Sequence, residues 1–405
     1  MIYIIEAFVE DYLHVLANVN IIKIFRNIYT DKPIVFTSPK KHNEQVKECF
    51  TIADPLISFE SVPNLNVATT NIFNRVYLIL LRIQRDISLL NRVFKKCKPG
   101  DIVVVTHIYF PCLVLLKLIK RKYPLVTTLS VIHGDVEYVY YPKTKQQKIV
   151  GFFHKLMFKI KAKQFFYIFL TPISKQILLE TKKTTHAETL AIELPPFPND
   201  HSFKDSLTLP RDVLKIGHVG SAGVRKNVHL FYELAVKLKR EIEGGALQLS
   251  NVGVLETSIE PFLSPLIIDF VNQTIDKPLS REKYNEKISD LHYSIFFYGK
   301  DDFILRSSAA FFDAIFYEKP LIVLRNTFFE DVFKREGEIG YLCENLEEMA
   351  SLINQLLTQK RYHEEKYAVL VENIRKYKSK LTIDIISSDL KNGMESLGMI
   401  CPTTG

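Results

Sequence analysis

The sequence contains no tryptophan, little glycine and few cysteines. Glycine supplies 15 of 405 residues, about half the typical ~7%, which excludes collagen-like and glycine-rich linker chains. The five cysteines (Cys49, Cys97, Cys112, Cys343, Cys401) are odd in number, widely spread and without a CxxC pair. They exclude a disulfide framework and a cysteine zinc site, and suit reduced thiols in a cytoplasmic protein. No apolar run reaches the ~18–20 residues that span a bilayer. The longest, IYFPCLVLLKLIK, is interrupted by Pro111 and Lys117. The first residues, MIYIIEAFVED, lack a basic region and meet Glu6 and Glu10, so they are not read as a signal peptide. No repeat of roughly 20–50 residues is visible, which argues against a solenoid.

What is present is an ordinary globular composition, 47% hydrophobic and 24% charged, with 28 Phe and 19 Tyr. That excludes intrinsic disorder, and the length predicts two domains. The net charge of +8 is unevenly spread: residues 1–190 carry +13 and residues 191–405 carry −5. Glycine is skewed the other way, with three before residue 200 and twelve after. The composition changes across IELPPFPNDHSFKDSLTLPRD (192–212), which has four prolines and reads as a linker. The predicted organisation is therefore a domain over 1–195, a second over 196–385, and a tail over 386–405.

Each half alternates buried strands with helices. DIVVVTH (101–107), LVTTLSVIHG (125–134) and QFFYIFLTP (164–172) read as strands in the first half, with a helix over 110–122. In the second half KIGHVGS (215–221) leads into the helix NVHLFYELAVKLKRE, YSIFFYG (293–299) into SSAAFFDAIFYE, and KPLIVLR (319–325) is a further strand. Continuous apolar strands separated by helices imply parallel sheets covered on both faces. The expectation is an α/β protein of two doubly wound, Rossmann-like domains. Ligands then bind where strands end, with the cleft between two such domains as the expected site.

Four segments carry chemistry. In KIGHVGSAGVRKNVHLF (215–231) the strand is expected to end in a loop with Gly217, Gly220 and Gly223, followed by Ser221, Arg225, Lys226 and a helix start. Bare backbone amides, a helix N-terminus and two cations suit a diphosphate. In YGKDDFILRSSAAFFDAIFYEKPLIVLRN (298–326), Arg306, Ser307 and Ser308 open a helix that carries Asp313. The serines can cap the helix or leave amides for a second phosphate contact, and Asp313 can accept from both hydroxyls of a ribose. Asp301-Asp302 is not read as a metal motif. In SVIHGDVEYV (130–139), His133 follows a strand, with Asp135 and Glu137 behind it; His107 and His14 are weaker candidates of the same kind. In KIVGFFHKLMFKIKAKQFF (148–166), Lys155, Lys159 and Lys163 recur at helical spacing opposite Phe153, Leu156, Met157 and Ile160. That is a basic amphipathic helix, a shape that can rest on anionic lipid.

The order of these features resembles the nucleotide-binding domain of GT-B glycosyltransferases of the family 4 (group 1) type, in the branch of bacterial polysaccharide biosynthesis. FFDAIFYEKPLI (311–322) is similar to that family's LLEAMACGKPVI-like segment, with Asp313 at its second Glu and Lys319-Pro320 at its Lys-Pro. Lys226-Asn227 falls at the family's Lys-Gly or Lys-Asn. The likeness covers 215–355 well and the first half in outline. Two positions depart from the pattern: Leu305 stands where the family has its first Glu, and Ser221 where it has an Arg.

The resemblance implies transfer of a sugar from a nucleotide-diphosphate sugar to a hydroxyl of a glycan or lipid-linked acceptor, with retention and without metal. It implies that Arg225, Lys226, Gly220, Ser221, Gly223, Arg306, Ser307 and Ser308 serve the diphosphate, Asp313 the ribose and His133 the donor sugar. No cofactor beyond the donor substrate is expected, and no nucleic-acid motif is recognisable. The basic half makes an anionic membrane surface a further expected partner, at the inner face of the plasma membrane. The alternative is a catalytically impaired GT-B protein that binds a sugar nucleotide or a protein partner, prompted by Leu305.

Overall fold

The computed structural model describes residues 1–50, 52, 54–65, 71–193, 213–270, 279–300 and 302–399. The linker proposed over 192–212 falls almost wholly outside them, as does Asp301. The chain divides into two compact units. Unit 1 comprises Met1–Pro195, Leu305–Ser307 and Ile383–Gly405; unit 2 comprises Pro196–Ile304 and Ser308–Thr382.

Unit 1 is built on seven strands: β1 (Ile2–Glu6), β2 (Ile34–Pro39), β3 (Ile57–Val62), β4 (Ile102–His107), β5 (Thr127–Ile132), β6 (Phe165–Phe169) and β7 (Thr189–Ala191). They lie in the order β3-β2-β1-β4-β5-β6-β7, and every pairing is parallel. The helices between them are α1 (Val15–Ile28), α2 (Lys40–Glu48), α3 (Ile72–Lys96), α4 (Phe110–Lys120), α5 (Lys145–Lys159) and α6 (Pro172–Glu180). Strands such as IVVVTH are β-branched and buried along their length, as a sheet covered on both faces requires. The order reverses between β1 and β4, so the switch point of this sheet lies at their carboxyl ends.

Unit 2 has six strands: β8 (Leu214–Ala222), β9 (Leu247–Leu255), β10 (Ile267–Phe270), β11 (Tyr293–Phe296), β12 (Leu321–Leu324) and β13 (Gly340–Cys343). Their order is β10-β9-β8-β11-β12-β13, again all parallel, with the switch point between β8 and β11. Its helices are α7 (His229–Lys237), α8 (Lys239–Glu243), α9 (Arg281–Ser289), α10 (Ala309–Phe316), α11 (Thr327–Glu336), α12 (Leu346–Thr358) and α13 (Lys360–Lys380). One face of the sheet packs Phe231, Leu234, Ile353 and Leu370; the other packs Phe296, Phe311, Phe329 and Tyr377. After α13 the chain re-enters unit 1 as α14 (Ile383–Ser396), which packs against α1 and β7.

Two local expectations are corrected. The basic helix begins at a capping box of Thr144 and Gln147 and stops at Lys159, so Lys163 is not on it. The reason lies in α4. The buried ammonium of Lys117 donates to the carbonyls of Met157 (3.1 Å) and Ile160 (2.7 Å), and that of Lys120 donates to Lys163 (2.7 Å). These donors satisfy carbonyls that a further helical turn would have used. The second correction concerns glycine. β8 does not end before Gly220 but pairs with β9 as far as Ala222, opposite Leu255.

Candidate functional site

In unit 2 the candidate site is assembled at the carboxyl ends of β8 and β11. Gly220 lies inside β8 with φ +96°, a conformation that favours glycine. Gly223 starts the loop proper, and a Cβ there would stand 2.0 Å from Oε2 of Glu256. Glu256 directly follows β9, and its Oε1 accepts from the Ser221 hydroxyl at 3.1 Å. A single 3₁₀ turn, Val224–Lys226, follows, anchored by the Val224 amide donating to Ser258 Oγ at 3.2 Å. Asn227 then adopts the left-handed conformation (φ 57°) and donates its side-chain amide to the Phe297 carbonyl at 3.2 Å. The loop is thereby tied to both neighbouring strands. Ser221 serves this scaffold through its bond to Glu256.

The two cations differ. Arg225 is exposed and Lys226 half-buried, and neither has a hydrogen-bond or ion-pair partner among the described residues. Burial lowers the Lys226 ammonium to about 8, with the neighbouring Arg225 charge adding to the effect and Glu256 opposing it. An ammonium so placed gains from any anion that approaches it.

The loop after β11 is held by aromatic packing. Tyr298 stacks on Phe303 at 3.9 Å, and its hydroxyl bonds Ser308 Oγ at 2.7 Å. Ser308 is the N-cap of α10, accepting from the Phe311 amide at 3.2 Å, so its hydroxyl is committed to the cap. Asp313, in the second turn of α10, accepts from Arg281 (3.1 Å) on one oxygen and from the Tyr284 hydroxyl (2.8 Å) on the other. Burial raises its carboxyl, against the opposing charge of Arg281 and the hydrogen bonds of Tyr284 and Arg281. Leu305 is 3% exposed and contributes apolar packing only.

In unit 1 a second cluster surrounds the carboxyl ends of β1, β4 and β5. Glu6 is the last residue of β1 and fully buried. It accepts from the amides of Phe8 (3.0 Å) and Val9 (3.1 Å), from Asn18 (3.2 Å) and from the Thr106 hydroxyl (3.3 Å). Burial alone would raise this carboxyl. The His14 side chain, His107 and the Val9 amide outweigh it and hold the group at about 2. His14, just before α1, has φ 59° and places Nδ1 3.8 Å from Glu6. His107 ends β4. His133 follows β5, and its Nε2–H donates to the Thr106 carbonyl at 2.6 Å. The three rings lie 4.4–5.2 Å apart. Burial lowers His133 well below the usual imidazole range and lowers His107 as well, so both are neutral at pH 7.

The acidic residues behind His133 are engaged. Asp135 stands 3.6 Å from His154 Nε2, and Glu137 forms an ion pair with Arg306, whose guanidinium lies over the Tyr138 ring. Arg306 and Ser307 both belong to unit 1 by packing. The sequence named Gly223, Arg225, Lys226, Asp313 and His133 as candidates, and named His14 and His107 without joining them. It also named Asn227 beside Lys226, and it gave no site role to Glu6, Glu256, Arg281 or Tyr284.

No protein-family model matches the sequence, and no curated protein matches it. Solved structures do match in fold along nearly the whole chain. A sucrose-phosphate synthase from Thermosynechococcus elongatus superposes with a TM-score of 0.65 at 12% identity, covering 98% of both chains. A trehalose-6-phosphate structure from E. coli, bound with UDP-2-fluoro glucose, gives 0.64 at 9% identity over 99% of both. A trehalose-6-phosphate synthase studied for glycosyl transfer with retention gives 0.63 at 9% over 99% of both. The chain has the two-domain α/β architecture of these GT-B proteins. At such identities the likeness is one of fold.

Proposed function

We propose that the protein is a glycosyltransferase that moves a sugar from a nucleotide-diphosphate sugar to a hydroxyl acceptor. The observation that carries this reading is the loop after β8. It carries Gly220 and Gly223 beside two cations, Arg225 and Lys226, that make no hydrogen bond or ion pair among the described residues, with the Glu256 carboxylate packed on Gly223, at the switch point of a GT-B sheet. As the glycosidic bond breaks, negative charge grows on the departing diphosphate. Arg225, Lys226 and the amides around Gly220 and Gly223 oppose it with fixed charge and need no metal at the diphosphate. Arg306, Ser307 and Ser308 are proposed to assist from the start of α10. Arg306 does so only by exchanging Glu137 for phosphate, and Ser308 only through its backbone, since its hydroxyl caps the helix.

Asp313 would hold the ribose, its two oxygens oriented by Arg281 and Tyr284 and each retaining acceptor capacity. His133 would act beside the donor sugar. Retention is the outcome we infer, in keeping with the retaining relative of the same fold. The acceptor is proposed to be a glycan or lipid-linked sugar of surface polysaccharide biosynthesis in a bacterium, met at the inner face of the plasma membrane. No helix among the described residues is long and apolar enough to cross a membrane. The features that support a peripheral contact are exposed Ile149 and Phe152 on α5 next to exposed Lys148 and Lys155.

A second reading rests on Leu305. If its burial removes a contact the donor sugar needs, the protein binds nucleotide sugar without transferring it. The test is incubation of the full chain with a panel of nucleotide sugars and lipid-linked acceptors, with detection of nucleoside diphosphate. Release that depends on acceptor supports transfer. Tight binding without release supports the second reading, and no binding refutes both.

A further inference from the structure

The histidine cluster of unit 1 has a chemistry that the diphosphate loop does not require. Three rings from three segments converge: His14 before α1, His107 at the end of β4 and His133 after β5. One nitrogen of each lies within 4.8 Å of the others. Nδ1 of His107 is buried and without a hydrogen bond, and Nδ1 of His14 is buried with only the Glu6 carboxylate, 3.8 Å away, facing it. His133 gives its Nε2–H to the Thr106 carbonyl, so its Nδ1 keeps a free lone pair. Strain is stored here as well, because His14 is a non-glycine residue held at positive φ.

We infer that His14, His107 and His133 form a binding site for a first-row transition-metal cation, with Zn²⁺ the best match. Neutral imidazole is the form that ligates, and three histidines with an open fourth position is an established zinc set. Zn–N bonds of about 2.0–2.1 Å at tetrahedral angles place the nitrogens ~3.4 Å apart. His133 now stacks on His14 and on His107, so the rings must turn to bring their in-plane lone pairs onto one ion and close the present span to that value. The surroundings fit an ion. Metal-bound histidines commonly donate their second N–H to a carbonyl or carboxylate, as His133 does to Thr106. The buried Glu6 carboxylate, 3.8 Å from His14, offsets one of the two charges. No lysine or arginine makes an ion pair with Glu6 among the described residues. The site lies in unit 1 and the diphosphate loop in unit 2. With Nε2–H held by Thr106, a metal on Nδ1 uses both nitrogens of His133, so metal binding would replace the donor-sugar role proposed for that residue; the readout is metal binding, so this site and the diphosphate loop can fail separately.

The test uses the full chain, stripped with a chelator and desalted under reducing conditions. Zn²⁺ is titrated against a chromophoric chelator, and Co²⁺ is added in parallel to read the visible bands of a tetrahedral site. The expected result is one Zn²⁺ per chain and tetrahedral Co²⁺ bands. His14→Ala and His107→Ala should each abolish the bands and weaken Zn²⁺ binding by at least about 100-fold. Glu6→Gln should weaken it by about 10–100-fold, the usual range for an outer-shell partner. His186→Ala, at an exposed histidine away from the cluster, should change nothing. Circular dichroism of the metal-free variants separates lost binding from lost folding. If Glu6→Gln fails to fold, the two histidine variants decide. Absence of Zn²⁺ binding by the folded wild type, or stoichiometric binding kept by His14→Ala and His107→Ala, overturns the inference.

Discussion

Replacing Lys226 by Gln probes the diphosphate loop through two independent readouts. Lys226 sits one residue from Arg225, half-buried, with its ammonium held at about 8 by burial and by that like charge. A diphosphate bound in the loop restores the favourable charge, so the group's pKa rises on binding. Loss of one charge-assisted hydrogen bond is worth about 1.5–3 kcal/mol, which is a 10- to 150-fold weaker Kd. The linkage gives a second signature. Below pH ~7 Lys226 is protonated with or without ligand, and affinity is independent of its titration. Above its free value of about 8, binding must first recover a proton. The Kd of the wild type then rises by nearly tenfold per pH unit until the bound-state pKa is reached. Isothermal titration of nucleoside diphosphates at pH 7, 8, 9 and 9.5 reads both effects. The variant should bind more weakly at pH 7 and should lose the steep rise. Equal affinity in the variant, or a wild-type Kd that is flat through pH 9.5, refutes the assignment of Lys226.

Other perturbations address the rest of the account. Gly223→Ala brings a Cβ to 2.0 Å from the flexible carboxylate end of Glu256, which can swing aside at the expense of its bond to Ser221, so it should cost no more than about 1 kcal/mol in a denaturant melt while weakening nucleotide binding. Asp313→Asn should weaken a ribonucleoside diphosphate but not its 2′,3′-dideoxy analogue; equal loss for both would confine Asp313 to holding Arg281 and Tyr284. Burial raises Asp86 to about 6, against the opposing effects of Arg85, the Tyr109 amide and Arg82. Between its ordinary 3.8 and that value the folded state holds a proton the unfolded chain has lost, so this group's contribution to stability falls as pH rises through the window. Urea midpoints at pH 4.5, 5.5 and 6.5 should show that slope in the wild type and not in Asp86→Asn. Converting Lys148, Lys155 and Lys159 to Gln should reduce sedimentation with anionic vesicles, and unchanged sedimentation would remove α5 from the membrane contact.

The fold was legible because strand burial is written as composition. IVVVTH and FFYIF contain no charge, and such runs separated by helices have few other solutions. Helix ends were harder to read where tertiary contacts set them. The lysine spacing of 148–166 continues past Lys159, yet the helix stops there because Lys117, some forty residues earlier, donates to the carbonyls of Met157 and Ile160 at its end, and Lys120 to that of Lys163 just beyond it. The glycines show the same limit. Gly220 looks like loop in sequence but is strand, since its register is set by β9, which follows later in the chain. Arg225 and Lys226 stood out as candidates because charge beside glycine is a local signal. Glu6, His14 and His107 are joined only by the topology that brings β1 beside β4, and no spacing between residues so far apart announces a cluster. Asp313 was visible as a carboxylate on an apolar helix, but Arg281 and Tyr284, which hold it, come from α9.

The claim that the chain is a nucleotide-sugar-dependent transferase is tested most directly by titrating a panel of nucleotide sugars and nucleoside diphosphates into the full protein, with the Arg225→Ala/Lys226→Ala double variant beside it. The account predicts that at least one nucleotide sugar binds the wild type, and that the folded double variant binds it at least ~100-fold more weakly. Failure of every nucleotide to bind, or equal binding by the double variant, would contradict it.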